Sequence, residues 1–459
     1  MGGGGVSFVR GSEAAWLNPA GLGGLKLAEF SAGYALIRRS FDDFPNVYWD
    51  TNEDGRIDAT DAPLKISPEE TPADGALVSL SSPIGSRVGI GFSAFMPNGR
   101  LIRIGGVESS LPDYFLYDRR LERFELAAGL GVDIAHGLRL GVGTQMLAAA
   151  DVAMIASLDT TVSGASSDDT DVSQTVGGTT FDMHTLDLDV RPQLIPVAAV
   201  QWDLGRLSPA LKGLSLGGTW RGAGGLPVKI TVDLQVDATL TDMGDSDPLT
   251  FALVTPIALS FMDHYLPQKW TAGASYSYKK RILFSADVER TDWQDMIPAI
   301  VQVVSGTVES PLFQSDDPSV TDGNPYTLTL KATTGVRVGL EGVPIDQDIN
   351  GKFQFVRLAL RGGFGYSPSP LQSQGHGTAF LDADRIFFTG GVGLSHADPF
   401  GLVKGPISWE LFFQDHILAS GSLDLPAEAP YRAGGPVDGA SIPIGGRLWT
   451  AGLQWSMEY

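Results

Sequence analysis

Leu448-Trp-Thr-Ala-Gly-Leu-Gln-Trp-Ser-Met-Glu-Tyr459 decides the fold class. Its odd positions are Trp449, Ala451, Leu453, Trp455, Met457 and Tyr459; its even positions after Leu448 are Thr450, Gly452, Gln454, Ser456 and Glu458. Side chains alternate across an extended chain, so the stretch reads as a strand with one apolar and one polar face. The same alternation recurs upstream. Phe124, Leu126, Ala128, Leu130, Val132 and Ile134 oppose Glu125, Gly129, Gly131 and Asp133. Val356, Leu358, Leu360, Phe364 and Tyr366 oppose Arg357, Ala359, Arg361, Gly363 and Gly365. Ile282, Phe284, Ala286 and Val288 oppose Ser285, Asp287 and Glu289.

A soluble sandwich turns such an apolar face inward, whereas a membrane barrel turns it outward against lipid. Connection lengths separate the two. Pro83-Ile84-Gly85-Ser86, His136-Gly137 and Lys279-Lys280-Arg281 are short, while 38–73, 97–119, 151–182, 294–327 and 419–445 are long and acidic. Short and long connections alternate, as in barrels with tight periplasmic turns and extended outer loops; a sandwich has no reason to obey that parity. Strands are predicted at 27–38, 74–83, 86–97, 120–135, 137–150, 183–203, 211–241, 249–278, 282–293, 328–341, 354–366, 384–396, 406–418 and 446–459. The predicted class is therefore all-β, a transmembrane antiparallel barrel of 14 strands. If Val228, Ile230, Val232, Leu234 and Val236 form a separate strand, the number becomes 16. Pro97, Pro192 and Pro196 lack the N–H a ladder needs and mark a bulge, a kink or a strand end. Pro97 is the candidate for a kink that perturbs the third strand.

Composition agrees with this class. Lys and Arg total 32 against 53 Asp and Glu, a formal charge of −21, which argues against nucleic-acid binding. Charged residues make up only 19% of the 459, and no apolar run reaches the ~18 residues a membrane helix needs. The absence of cysteine removes disulfides, thiolate metal sites and cysteine nucleophiles together, and fits passage through an oxidising periplasm. Met1-Gly-Gly-Gly-Gly5 lacks the basic and apolar regions of a signal peptide, so a removed targeting segment is expected for a barrel bound for the outer membrane.

Ser12-Glu-Ala-Ala-Trp-Leu-Asn-Pro-Ala-Gly-Leu22 precedes the first strand, which carries Phe30-Ser-Ala-Gly-Tyr34. Trp270-Thr-Ala-Gly-Ala-Ser-Tyr-Ser-Tyr278 runs through a tight turn to Ser285-Ala-Asp-Val-Glu-Arg-Thr-Asp-Trp293, and Arg357-Leu-Ala-Leu-Arg-Gly-Gly-Phe-Gly-Tyr-Ser-Pro-Ser-Pro370 follows. In order and spacing these segments resemble the FadL-type long-chain fatty-acid transporters of the Gram-negative outer membrane. The resemblance implies a 14-stranded barrel with an N-terminal hatch folded inside it, here residues 1–25, and a barrel over 26–459. It marks Asn18, Pro19 and Ala20 as the hatch motif. It also implies passive uptake of hydrophobic molecules, long-chain fatty acids or similar, with lateral release into the membrane. Outer-membrane lipid and lipopolysaccharide are then its surroundings, and the protein is expected to work as a monomer. Only 17 residues precede Asn18, fewer than the family usually has, which puts in doubt the part of the hatch that reaches the ligand.

Asp50-Thr-Asn-Glu-Asp-Gly-Arg-Ile-Asp-Ala-Thr-Asp61 is the sharpest local motif. Oxygen ligands fall at loop positions 1, 3, 5, 9 and 12, namely Asp50, Asn52, Asp54, Asp58 and Asp61. Gly55 stands where the loop must turn sharply, Arg56 offers its carbonyl at position 7, and Ile57 is the apolar anchor. The spacing resembles EF-hand and dockerin-type loops and predicts a calcium ion that stiffens the first outer loop.

Enzymatic chemistry is not expected. His136, His184 and His376 read as turn or loop residues, and His264, His396 and His416 lie near strand ends. Asp415 and His416 are adjacent and so point to opposite faces, and no His-Glu-x-x-His motif is present. Arg139, Arg337, Arg357 and Arg361 share the inward phase with Glu125, Asp133, Asp187, Asp189, Asp287, Glu289 and Glu341, which favours ion pairs filling a polar interior. The sharper alternative gives Arg357 or Arg361 an anionic ligand headgroup; an acidic lumen would instead suit a neutral aromatic hydrocarbon. A barrel that merely anchors a surface adhesin or assembly protein is the other class, with long loops such as Ser163–Asp171 and Ser315–Gly323 as its working part.

Overall fold

Two-residue alternation bounded by turn residues gives fourteen wall strands in the computed structural model. They are β1 (Glu29–Phe41), β2 (Gly75–Ile84), β3 (Val88–Pro97), β4 (Glu125–Ala135), β5 (Leu138–Gly164), β6 (Gln174–Asp203) and β7 (Leu214–Arg221). The second half comprises β8 (Gln268–Tyr278), β9 (Ile282–Asp292), β10 (Thr333–Gln347), β11 (Val356–Ser367), β12 (Arg385–Ala397), β13 (Pro406–Asp424) and β14 (Ser441–Glu458). The structure describes residues 4–45, 47–49, 60, 62–63, 72–98, 112–117, 124–164, 174–241, 249–296, 302–306, 328–347, 356–374, 379–398, 400–401, 403, 405–424, 434–436 and 441–459. Each strand pairs antiparallel with the next, and β1 pairs with both β2 and β14, so the sheet closes on itself without a free edge.

Turn chemistry sets one rim. His136 and Gly137 both take positive φ, 51° and 82°, the two-residue geometry that matches the twist of flanking strands. Lys279 and Lys280, at 51° and 58°, do the same between β8 and β9. Long connections leave from the opposite rim, as the parity predicts. The outward phase is apolar: Phe92 is 41% exposed, Val142 60%, Phe284 52% and Leu411 57%. Such a continuous apolar belt on a closed wall is the surface of a barrel that stands in lipid.

One stretch departs from the expectation. Strands were expected at 211–241 and 249–278, but the wall strand β7 stops at Arg221 and β8 begins at Gln268. Between them, Gly224–Thr241 and Leu249–Leu266 form an antiparallel hairpin outside the ring. Ile230–Thr241 of that hairpin pairs in parallel with Val152–Ser163 of β5. The segment carrying Val228 to Val236 is thus a separate strand, yet the wall keeps 14 members because Arg221 and Lys269 pair directly. Glycines at 222, 224 and 225 let the chain leave. Pro196 sets the place: its carbonyl accepts from the Gly222 N–H at 2.9 Å, but it has no N–H to return, and the β6–β7 ladder ends at Val197 and Arg221.

Candidate functional site

Residues 4–25 fill the barrel interior as three short turns, Gly11–Glu13, Ala14–Leu17 and Pro19–Leu22. Asn18, fully buried, holds them together. Its side-chain oxygen accepts from Ala20 N–H at 3.0 Å and caps the turn that Pro19 opens. Its amide donates to the Val6 carbonyl at 2.6 Å and to the Val200 carbonyl of β6 at 3.1 Å. The Asn-Pro-Ala motif therefore ties hatch to hatch and hatch to wall.

Against this plug the wall is glycine. Gly89 of β3, Gly131 of β4, Gly141 of β5 and Gly217 of β7 stand on the inward phase, and a Cβ on any of them would strike hatch backbone. Gly89 faces the Leu22 carbonyl, Gly131 the Pro19 carbonyl, Gly141 the Ala20 nitrogen and Gly217 the Val6 carbonyl. Polar tethers complete the seat. Gln201 donates to the Val9 carbonyl at 3.1 Å and Arg221 to the Trp16 carbonyl at 2.6 Å. Asp287 of β9 accepts from the Gly5 N–H at 2.7 Å and the Val6 N–H at 3.3 Å. Arg10 donates to the Gly23 carbonyl at 3.2 Å, and burial, helped by Arg139 and Arg206, lowers its guanidinium to about 10.

Above the hatch lies a chamber of about 270 Å³. Gly5, Val6 and Trp16 form its floor, and its walls carry Arg221, Lys269, Arg337 and Arg385 against Asp287 and Glu289. Glu289 pairs with Arg337 at 3.1 Å and Lys269 at 3.5 Å. Four cations thus meet two carboxylates, one already engaged by hatch N–H groups. The Nε of Arg385 is buried without a hydrogen-bond partner among the described residues. Phe387 and His416 stack on another wall with ring centroids 4.8 Å apart.

Described parts of three long connections, 42–45, 112–117 and 379–384, pack together over the chamber. Phe41, Phe44, Tyr114, Tyr117, Leu381 and Ile442 belong to one buried apolar cluster at the mouth. Tyr114 accepts from the Gly445 N–H at 3.0 Å and donates to the Gly445 carbonyl at 2.8 Å. Arg385 reaches up from the chamber to lie 5.8 Å from the centre of the Tyr117 ring. Tyr117 in turn donates to Asp382 at 2.8 Å. Burial pushes the Asp382 carboxyl up, against the downward pull of Ser369, Tyr117 and Arg385.

Of the residues singled out by sequence, Asn18, Pro19 and Ala20 lie at the centre of the hatch. Arg357 and Arg361 stand away from the chamber: both pair with Glu341, at 3.4 Å and 2.7 Å, and Arg361 also with Glu410. Both guanidinium groups are therefore ion-paired among the described residues. Pro97 is the last residue of β3, opposite Gly75, and the ladders on both sides of β3 run without a register shift. Asp50, Asn52, Asp54, Arg56, Asp58 and Asp61 lie outside the described residues. The described flanks of that loop are paired, Trp49 with Ala62 and Tyr48 with Pro63. Gly213-Leu-Ser-Leu-Gly217 has the spacing of a nucleophile elbow, but Ser215 lies within β7, between Asp203 and Ser275, not at a strand-to-helix turn.

The architecture can be compared with solved structures. A FadL homologue from Pseudomonas aeruginosa superposes with a TM-score of 0.53 at 14% identity, over 99% of this chain and 96% of that one. The CymD monoaromatic hydrocarbon channel superposes with a TM-score of 0.50 at 11% identity, over 100% and 96%. The fold is that of the FadL homologue. No family model and no curated protein sequence matches this chain.

Sequence reasoning missed the chamber's Arg221, Lys269 and Arg385, and it missed the glycine seat. The seat had a signal. On β3, β4 and β5 the inward phase reads Gly89 and Gly91, Gly129 and Gly131, Gly141 and Gly143. A run of alternate glycines facing inward leaves a groove that another backbone must fill.

Proposed function

We propose that this barrel carries small hydrophobic molecules with an anionic head, such as fatty acids, passively across the outer membrane. The observation that carries the reading is the cationic excess of the chamber, with the Arg385 Nε buried and without a hydrogen-bond partner among the described residues. A carboxylate entering under the loop cap would meet that N–H, and its carbon chain would shed water at about 25 cal/mol per Å² of apolar surface. The surface-adhesin alternative has less support, because the interior holds an open chamber between a tethered floor and a folded cap. Sideways release is part of the proposal. The β6–β7 ladder ends at Arg221, itself a chamber residue, and Pro192 and Pro196 both lie on β6 beyond that end.

A binding measurement on the detergent-solubilised protein tests this. Palmitate is expected to bind about tenfold more weakly to Arg385→Gln than to the parent, the loss of one charge-assisted hydrogen bond, with toluene unaffected. Unchanged palmitate affinity would remove the anionic-head reading. A second reading has its own support: about 270 Å³ is small for a ligand site, and the solved CymD is a monoaromatic hydrocarbon channel. Toluene binding without palmitate binding would establish it.

The proposal extends to calcium in the loop 50–61. The ligand spacing supports it, and so does the pairing of Trp49 with Ala62, the residues that flank the twelve-residue segment. Titration calorimetry is expected to show calcium binding that Asp54→Ala loses; equal heats from both proteins would dismiss the ion.

A further inference from the structure

The outer wall carries a groove of about 600 Å³ on its lipid-facing side, over β6 to β9. Its construction follows from the strand register. Toward the loop rim one row runs Ala198, Trp220, Trp270, Arg290 across the four strands. The next row toward the membrane middle runs Val200, Gly218, Ala272, Val288. Below that, Ala274 is flanked by Leu216 and Ala286. Small residues at 218, 272, 274 and 286 therefore sink a floor into an otherwise bulky apolar belt. The two tryptophans, ring centroids 6.1 Å apart, overhang its loop-side end.

Arg290 closes that end and is exposed on the outward phase. Other outward arginines near this rim have acids: Arg38 pairs with Asp74, and Arg447 with Asp415 at 2.6 Å. Arg290 has no ion pair or hydrogen bond among the described residues, and its cross-strand neighbours are Trp270 and Thr334. A guanidinium on a lipid-facing wall is costly unless an anion meets it, and a lipid phosphate is the anion available at that depth. The long loops place this rim in the outer leaflet.

We infer that this groove is a binding site for a phosphorylated, multiply acylated glycolipid of the outer leaflet, with a phosphate on Arg290 and one acyl chain along Gly218, Ala272 and Ala274. The site is on the opposite side of the wall from the chamber, so it does not depend on what the lumen carries. An acyl chain laid there covers a depression that bulk lipid packs poorly, and the tryptophan pair grips it where chain meets headgroup.

Native mass spectrometry of the full-length protein, delipidated and then exposed to lipid A or to phosphatidylglycerol at equal concentration, tests the inference. The parent is expected to retain one lipid A, and Arg290→Gln to retain about one tenth as much. Gly218→Leu fills the floor and is expected to lose the lipid equally. A Cβ at Gly218 meets only Val200 at 3.4 Å and the Thr271 carbonyl at 3.6 Å, so this variant can fold. Leu411→Ala, on a distant outward face, is expected to behave as the parent. Retention unchanged in both Arg290→Gln and Gly218→Leu would overturn the site. Phosphatidylglycerol retained as well as lipid A would overturn the assignment to a glycolipid. Palmitate binding in the lumen should be the same in Arg290→Gln as in the parent, which separates this test from that of the uptake proposal.

Discussion

Asn18 was marked in the sequence by the resemblance its Asn-Pro-Ala motif carries; its capping of the turn that Pro19 opens is local, whereas its bonds to Val6 and to Val200 of the wall are not. Arg385, Lys269 and Arg221 carried no such mark, since nothing in three separate strands says that their ends converge on one chamber. Asp382 was hidden for the same reason, being buried only once the loops meet over the mouth. Its raised pKa gives the cap a pH dependence of known sign. The folded state holds the proton more tightly than the unfolded chain, so the stabilisation is complete below the ordinary value near ~3.9 and is lost as pH rises through the raised value. Protection of the Leu381 amide, which donates to the Asp113 carbonyl at 2.8 Å, is therefore expected to fall from pH 4 toward neutrality once intrinsic exchange rates are corrected. Asp382→Asn keeps an acceptor for Tyr117 and is expected to flatten that slope; an unchanged slope would place the titration elsewhere.

At the scale of elements, strands emerged from sequence with little displacement: 86–97 is Val88–Pro97, and 282–293 is Ile282–Asp292. Period-two alternation and turn chemistry are short-range, so they survive in a single sequence. What alternation cannot say is why an inward position holds glycine. The answer lies in another element, the hatch, whose backbone lies against β3, β4 and β5. Gly141→Ala drives a methyl into the Ala20 nitrogen and is expected to cost about 1–3 kcal/mol by overpacking. A displaced hatch also opens a path for ions. Planar-bilayer recordings of Gly141→Ala are expected to show larger or more frequent conductance than the parent. Gly390→Ala, where a Cβ meets nothing within 4 Å, is expected to show parent behaviour. A silent Gly141→Ala barrel would mean that the hatch adjusts without loosening.

At the scale of the molecule, loop parity predicted the number of wall strands but not the hairpin that interrupts them. Parity counts crossings of the membrane, and the excursion from Gly222 to Leu266 makes none: it leaves and re-enters at the same rim. A strand pattern within it is equally regular, which is why 16 stood beside 14 as a reading of 211–278. The closed ring needs only that β7 meet β8, and it does so from Leu214 opposite Tyr276 to Arg221 opposite Lys269. Closure is thus independent of the hairpin, whose partners are β5 beyond Val152 and the short strand Gln302–Gly306. Replacing residues 223–267 by Asn-Gly, a turn suited to antiparallel neighbours, is therefore expected to leave a folded barrel. The readout is heat-modifiable electrophoretic mobility, with the compact form retained and its melting temperature within a few degrees of the parent. Failure to form the compact species would show that the hairpin, through β5, holds the wall together as it closes.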